Sequence, residues 1–390
     1  MPSTKLPSIK TANKSAHKYA IVIGIGLALF PIHNKWLTDV TSIEGMATLF
    51  LPALGAIMWI LGTLLFLRDN WDTKDWGDKR VFVPLLVIVG AIGISGLNYE
   101  SLSGKVAPLF MGLSMFSLYL VSRKLGKDIF LPLAIGVCIA SVGILITGIF
   151  INPGTITGGL VFERNYDIAA GFVLLGTALF VHKYQWMLAS LALLAMLVSG
   201  SPEGVFAITI LVVVVLFRRD WSKKLLIALS PVLLAVVVLL ASGYGSRLYE
   251  YSGFIIKEEF NAVSDKPLYA QDGTTPIGRK VQVAVDAMTN LKPLGEGYYI
   301  TAFTYETTHN VPLLIVQQLG YPGILAALCW LWVTMWCLWK TKYKYVFVLI
   351  LSLSVWDHYL FTQIGIWWYA AVGVATAKNN IESDLIFRKT

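Results

Sequence analysis

Charged residues are scarce in this chain, and their scarcity excludes a water-soluble fold. Asp, Glu, Lys and Arg make up 14% of the 390 residues, whereas soluble globular domains carry about 25%. Hydrophobic residues make up 56% of the chain. A chain of this composition cannot cover a surface that faces water, so we predict an integral membrane protein.

The sequence also shows no pattern typical of a disulfide framework, of metal-binding cysteines or of a cleavable leader. The three cysteines, Cys138, Cys329 and Cys337, all fall inside apolar runs without metal-ligand spacing, which indicates small packing residues. The basic N-terminus leads into an apolar run from about residue 19, and no convincing small-residue cleavage site follows. This pattern predicts an uncut signal anchor.

Long apolar runs make up most of the chain, and breaks rich in charge, proline or glycine separate them. A helix that crosses a bilayer needs about 20 apolar residues. We therefore predict an all-α polytopic membrane protein with about 12 transmembrane helices. The predicted spans are residues 18–34, 45–67, 81–97, 105–122, 129–151, 167–182, 184–199, 204–217, 225–243, 311–339, 345–361 and 363–377.

The basic residues indicate which side each connection faces. The termini and the connections at 68–80, 123–128, 183, 218–224 and 340–344 hold 22 of the 31 Lys and Arg residues. By the positive-inside rule, these connections and both termini are cytoplasmic. The net charge of +8 is spread over short loops that touch anionic lipid, so it does not indicate a nucleic-acid partner.

One outward connection, residues 244–310, is far longer than the others. We divide the chain into transmembrane helices 1 to 9 (1–243), a partly helical periplasmic loop domain (244–310), and helices 10 to 12 with a short cytoplasmic tail (311–390). A long connection with a varied sequence is usually functional. The function is therefore predicted to lie on the periplasmic face.

The loop domain contains PIGRKVQVAVDAMTNLK, which predicts an amphipathic helix. Thr275 can cap it, Pro276 suits its first position, and Pro293 ends it. One face would carry Ile277, Val281, Ala284, Met288 and Leu291, and the other Arg279, Gln282, Asp286 and Asn290. The spacing alone fits a plain solvated face as well as a ligand-binding one.

The stretch THNVPLLI closes the loop domain and opens predicted span ten. Asn310 suits an N-cap and Pro312 the first turn, so we predict that the helix begins at about Val311. His309 then lies at the positive end of the helix dipole, a place that favours an anion. On chemistry alone, a polar anchor at the membrane interface and a catalytic group both fit this histidine.

Further polar residues lie at the predicted outer edges of the spans, where the ionisable ones are functional candidates. They are Arg247, Arg164, Asn165, Asp167, Ser199, Ser201, Glu203, Asp357 and His358. Several arginines on one face with a single histidine indicate a phosphate-bearing ligand, because Arg binds phosphate bidentately and keeps its charge.

Two runs, GRKVQVAVDAMTNLKPLGEGYY and THNVPLLIVQQLGYPGILA, resemble the signature region of the O-antigen ligase and O-antigen polymerase superfamily. Members of that family show an Arg-led amphipathic helix, a P-L-x-G-x-G turn, and then H-N before an apolar helix with G-x-x-G. FERNYDIAAGFVLL is similar to the family's Asn-containing entry to a middle span. The twelve-span layout with one large outward loop is also that of the family.

The resemblance implies a GT-C-type glycosyltransferase in the bacterial inner membrane, with its active site facing the periplasm. The donor would be a glycan on undecaprenyl pyrophosphate, and the acceptor a hydroxyl of lipid A core or of a growing glycan. The reaction would invert the anomeric centre without a metal or another cofactor, which fits the absence of D-x-D around Asp39 and Glu44. The implied site has His309 and Arg279 as catalytic residues, Arg279, Arg247 and Arg164 on the pyrophosphate, and Asn310, Asn165 and Glu296 in support.

Two departures from the family pattern keep other functions open. Gln317 and Gln318 stand where members commonly have Glu, and Pro202 stands in a segment where many have Ser/Thr-Arg. A ligase is favoured slightly over a polymerase because only one outward loop is large. A lipid-linked oligosaccharide flippase is the rival from another class, although the halves show no repeat of the kind common in transporters. The departures also allow an inactive scaffold.

Overall fold

The computed structural model of the protein describes residues 9–32, 46–70, 76–151, 171, 186–199, 201, 204, 206, 207, 209–211, 213, 276–298, 308–356, 361 and 364–381. These residues are mostly helical, and they contain no strand beyond an isolated bridge between Thr341 and Ile381. The predicted all-α class is therefore confirmed for this part of the chain.

The helices follow most of the predicted apolar segments. In chain order they are α1 (Ile9–Leu29), α2 (Met46–Asp69), α3 (Lys79–Ser95), α4 (Leu102–Leu125), α5 (Phe130–Ile146), α6 (Trp186–Ser199), α7 (Pro276–Thr289), α8 (Val311–Leu319), α9 (Tyr321–Lys340), α10 (Lys344–Trp356) and α11 (Gly365–Ala375). A single π-helical turn, Thr147–Ile151, extends α5. The predicted spans 167–182 and 225–243 lie outside the described residues, apart from residue 171.

Four described helical segments are long and apolar enough to cross a bilayer. They are Leu51–Asp69, Lys79–Asn98, Leu102–Ile151 and Tyr321–Lys340. The segment Leu102–Ile151 turns at Gly126, whose φ is 61°, and so contains both α4 and α5. Shorter apolar helices accompany these segments. The protein is thus a helical membrane protein, whereas the twelve spans and their orientation stay predictions.

Large aromatic side chains join the C-terminal helices to the rest of the bundle. Trp330 of α9 and Trp368 of α11 are buried and stacked, with ring centroids 5.7 Å apart. Trp368 Nε1 donates to Thr334 Oγ1 at 2.9 Å, and Trp367 Nε1 donates to Leu27 O of α1 at 2.8 Å. Each of these two bonds gives a buried indole N–H of α11 an acceptor on another helix, and together they fix the rotation of α11.

Hydrogen bonds join the segments that the charge pattern predicts to be cytoplasmic. The bonds run from Arg123 Nη2 to Thr376 O at 3.3 Å, from Lys124 Nζ to Asn70 O at 3.2 Å, and from Lys342 N to Asn380 O at 3.0 Å. The segments around residues 70, 124, 342 and 378 therefore meet at one end of the helices.

Predicted span ten is two helices rather than one. Helix α8 ends at Leu319 and α9 begins at Tyr321, and Gly320 between them has φ 68° and ψ −142°. Residues with a Cβ rarely adopt this conformation. The predicted continuous helix over 311–339 is therefore wrong at Gly320. A glycine in a helix costs only about 1 kcal/mol, so its presence in an apolar run does not by itself predict a break.

Candidate functional site

Helix α8 begins as the sequence predicts. Asn310 is its N-cap, and its Oδ1 accepts a hydrogen bond from Leu313 N at 3.2 Å, while a proline occupies the first turn. The same side chain donates from Nδ2 to Val355 O at 3.2 Å, which ties the start of α8 to the end of α10. His309 precedes the cap directly and is half-buried. It therefore lies at the positive end of the α8 dipole.

A turn at residues 292–298, here called the glycine turn, follows α7 and docks on the junction between α8 and α9. Glu296 N donates to Gln317 O and Gly297 N donates to Gln318 O, both at 3.0 Å. The last carbonyls of a helix have no donors within that helix. The N–H groups of the glycine turn supply donors for two such carbonyls of α8, and in return Tyr321 N donates to Pro293 O at 3.0 Å.

Two glycines make this docking sterically possible. Gly295 has φ 73° and Gly320 has φ 68°. A Cβ at Gly295 would lie 2.5 Å from Gly320 N, and a Cβ at Gly320 would lie 2.6 Å from Lys292 O. Real Cβ atoms essentially never make such short contacts, so both positions require glycine. This contact gives a physical reason for the first glycine of the G-x-x-G motif and for the first glycine of the G-x-G in the turn.

A chain of polar groups, here called the polar chain, links the glycine turn to the residue before His309. Gln317 Nε2 donates to Glu296 Oε2 at 3.3 Å, and Gln317 Oε1 accepts from Thr308 N at 3.1 Å. Thr308 and Gln317 are buried, whereas Glu296 is half-buried. An amide can donate and accept at once, whereas an ionised carboxylate only accepts. Gln317 therefore bridges a carboxylate and a backbone N–H, which an ionised Glu at this position could not do.

Burial raises the pKa of the Glu296 carboxyl above its ordinary value. The positive charge of Lys292 and the hydrogen bond from Gln317 act in the opposite direction and offset the effect only in part. Loss of water stabilises the neutral form of a carboxyl, and positive neighbours stabilise the anion. Glu296 is thus a carboxyl group close to the start of α8 that takes up a proton more readily than an exposed Glu.

The connection between α3 and α4, residues 96–101, holds the glycine turn from the other side. Asn98 Nδ2 donates to Leu294 O at 2.8 Å and to Gly295 O at 3.0 Å. Tyr99 Oη donates to Tyr298 O at 2.6 Å. Nothing in the sequence singled out Asn98 and Tyr99, because they lie almost 200 residues before the turn that they contact.

Helix α7 carries Arg279 near its start and is amphipathic, as predicted. Met288 packs against the hydrophobic core, whereas Asp286 is exposed; just after the helix end at Thr289, Leu291 packs against the core and Asn290 is exposed. Its side chains are described from Gln282 onwards, so the Arg279 side chain lies outside the described part of the structure. Helix α7 contacts α8, and the glycine turn connects α7 to the junction that follows α8.

The structure thus brings together some of the predicted site residues. Glu296 and the His309–Asn310 pair are linked by the polar chain, and Arg279 lies on the helix that leads into the glycine turn. Arg164, Asn165 and Arg247 fall outside the described residues, as do Pro202, Glu203, Asp357 and His358. Their predicted roles stay predictions.

The described residues contain no group of three or more His, Cys, Asp or Glu side chains that could hold a metal ion. All three cysteines are free; Cys337 is buried and the other two are half-buried. They are therefore packing residues of the apolar helices, as the sequence predicts.

No protein-family model matches this chain, and no curated protein sequence matches it. The resemblance to the O-antigen ligase and polymerase superfamily therefore rests on the motifs quoted above.

Proposed function

We propose that the protein is a membrane glycosyltransferase that moves a glycan from undecaprenyl pyrophosphate to an acceptor hydroxyl on the periplasmic face. O-antigen ligation to lipid A core is the preferred reaction. The observation that carries the proposal is the linkage of Glu296 to the segment of His309 through Gln317 and Thr308, at the start of a capped helix. In a chain so poor in charge, this concentration of polar groups is better explained by chemistry than by packing.

The proposed reaction needs two kinds of assistance. As the acceptor oxygen attacks the anomeric carbon, the bond from that carbon to the pyrophosphate oxygen breaks, and lipid pyrophosphate leaves as an anion. His309 accepts the proton of the acceptor hydroxyl, since a neutral imidazole is available near neutral pH. Arg279, with Arg247 and Arg164, stabilises the charge that develops on the leaving group.

The half-buried position of His309 beside Asn310 suits a general base. The capping bond of Asn310 fixes where the helix begins, and its second bond to Val355 O holds that start against α10. The helix dipole at this end favours anionic groups, so a phosphate is stabilised near the same place. The base and an anion site are thereby expected within reach of one substrate.

The test is a transfer assay with purified protein, lipid-linked glycan and lipid A core, without added metal or ATP. Formation of glycan-bearing lipid A supports the ligase, and chain growth without the core supports the polymerase instead. If neither product forms and lipid-linked glycan moves across the membrane of vesicles that contain the protein, the flippase is supported. If ligation, chain growth and translocation are all absent, the inactive scaffold is supported.

His309→Ala is expected to lower the transfer rate by about 10²–10⁴-fold, the usual contribution of a general base. His17→Ala is the matched control, because His17 is an exposed histidine of α1. Arg279→Lys is expected to fail as well, since an ammonium cannot replace the planar guanidinium. Arg68→Lys, at an exposed arginine, is its control. A His309→Ala variant that transfers glycan at the wild-type rate would disprove the catalytic role.

A further inference from the structure

The glycine turn is held on its two sides by different kinds of bonds. On the α8 side, backbone groups bond to backbone groups. On the side of the α3–α4 connection, the side chains of Asn98 and Tyr99 bond to three backbone carbonyls of the turn. The bonds of Asn98 and the bond of Tyr99 can therefore be removed separately without changing the backbone of either partner.

The α3–α4 connection also fits the turn closely. A Cβ at Gly297 would lie 3.0 Å from Tyr99 Oη, so the tyrosine packs directly on that glycine. Ser101 caps α4 by accepting from Gly104 N at 3.1 Å, which fixes the direction in which the connection leaves the helix. The α3–α4 connection therefore presents a well-defined contact surface to the glycine turn.

We propose that Asn98 and Tyr99 are positioning residues that hold the glycine turn, and through the polar chain His309, in place for glycosyl transfer. This inference rests on the proposed function. A shift of the turn moves Glu296, which is bonded to Gln317, and Gln317 in turn is bonded to the backbone immediately before His309. Neither Asn98 nor Tyr99 needs to touch the substrate for this effect.

The Asn98 side chain is exposed. Water can take its place at the two carbonyls in Asn98→Ala, so the variant is expected to fold. A misplacement of about 1 Å at a reacting group can cost on the order of 10²-fold in rate. We expect Asn98→Ala to lower kcat by tenfold to a hundredfold and Tyr99→Phe by about tenfold. The KM for the lipid-linked donor should change by less than about twofold, because uniform substrate binding is untouched.

Two further variants separate positioning from a general structural role. Asn98→Asp keeps the shape but loses the N–H donor and points a carboxylate at two carbonyls, so it should lower kcat at least as much as Asn98→Ala. Asn98→Gln keeps the amide and should recover part of the activity. Asn380→Ala is the control. It removes a hydrogen bond of 2.8 Å from the side-chain amide Nδ2 to Val374 O, at the opposite end of the helices.

Amide hydrogen exchange gives a readout that does not depend on activity. In Asn98→Ala and Tyr99→Phe, peptides that cover Glu296 and Gly297 should exchange faster, while peptides from the second half of α9, which do not touch the turn, should not change. Unchanged exchange at the turn would overturn the inference whatever the transfer assay gives. Wild-type kcat in Asn98→Ala and Asn98→Asp, with His309→Ala inactive, would overturn the inference but leave the proposed function. A wild-type protein without transfer activity would overturn both.

Discussion

At the scale of single residues, Glu296 is the most informative side chain of the described site. Its carboxyl group accepts from Gln317 Nε2 at 3.3 Å and is half-buried within the glycine turn. Burial raises its pKa above the ordinary value, so the folded protein binds its proton more tightly than the unfolded chain does. Protonation of this group and folding are therefore linked.

This linkage predicts the effect of Glu296→Gln on the pH dependence of stability. Between the unfolded and the raised folded pKa, the folded state binds more protons, so wild-type stability falls as the pH rises through this window. Glu296→Gln removes that fall. Thermal unfolding in detergent from about pH 4 to pH 7 should show the wild type losing stability relative to the variant.

Glu100→Gln is the control for the loss of one negative charge, because Glu100 is exposed on the α3–α4 connection. If the unfolding temperatures of wild type and Glu296→Gln change in parallel with pH, the linkage is contradicted.

The sequence could predict only the part of this site that obeys local rules. The Asn310 cap and the nearby proline act within one helical turn, so their pattern was readable. The polar chain joins residues that lie 9 and 21 positions apart, and no local rule pairs them. Gln317 therefore read as a departure from an expected Glu, whereas in the structure a carboxylate reaches it from the glycine turn.

At the scale of elements, the junction between α8 and α9 decides how the loop domain meets the helices. Gly126, at the end of α4, has φ 61° and ψ −143°, nearly the same conformation as Gly320. A Cβ at Gly126 would meet no atom within 4 Å, whereas one at Gly320 would lie 2.6 Å from Lys292 O. Replacing Gly126 therefore introduces backbone strain alone, whereas replacing Gly320 introduces the same strain and a steric clash.

Gly126→Ala is expected to cost about 1–3 kcal/mol, the price of placing a Cβ in this backbone region. Gly320→Ala should cost about 1–3 kcal/mol more than Gly126→Ala. The extra loss is the usual cost of overpacking, because the glycine turn must move away from the new Cβ. Unfolding in detergent by denaturant titration measures both values. Gly90→Ala is the control, since Gly90 lies inside α3 and nothing lies within 4 Å of a Cβ there, so this variant should lose no stability.

Equal losses of stability for Gly126→Ala and Gly320→Ala would contradict the steric argument.

Most helices of the described chain could be predicted from apolar runs because burial in lipid favours helix over every open structure. The break at Gly320 could not, because the atoms that exclude a side chain there belong to Lys292 and Gly295.

At the scale of the whole molecule, the described connections separate into two groups. The α3–α4 connection, the glycine turn and the start of α8 meet at one end of the helices, and the basic segments near residues 70, 124 and 342 meet at the other. The basic end should face the cytoplasm by the positive-inside rule. Helix contacts alone do not tell the two sides of a membrane apart.

Cysteine labelling tests this orientation. In a background with Cys138, Cys329 and Cys337 replaced by alanine, exposed positions from each end receive one cysteine. Ser103→Cys should react with an impermeant maleimide added outside intact spheroplasts, because it precedes the apolar body of α4 on the predicted periplasmic side. Lys127→Cys should react only after the membrane is permeabilised, and the reverse pattern would overturn the predicted topology.

The docking of the glycine turn also sets the order in which the protein can be completed. The α3–α4 connection is synthesised early, and the turn about two hundred residues later. The carbonyls of Gln317 and Gln318 and the N–H of Tyr321, to which the turn is also bonded, follow it by some twenty further residues. A nascent chain that stops before Gln317 carries every residue of the site that the family resemblance implies, yet it lacks the α8–α9 groups to which the turn is bonded. The end of α8 and the first residue of α9 must therefore be translated before the glycine turn can dock in full.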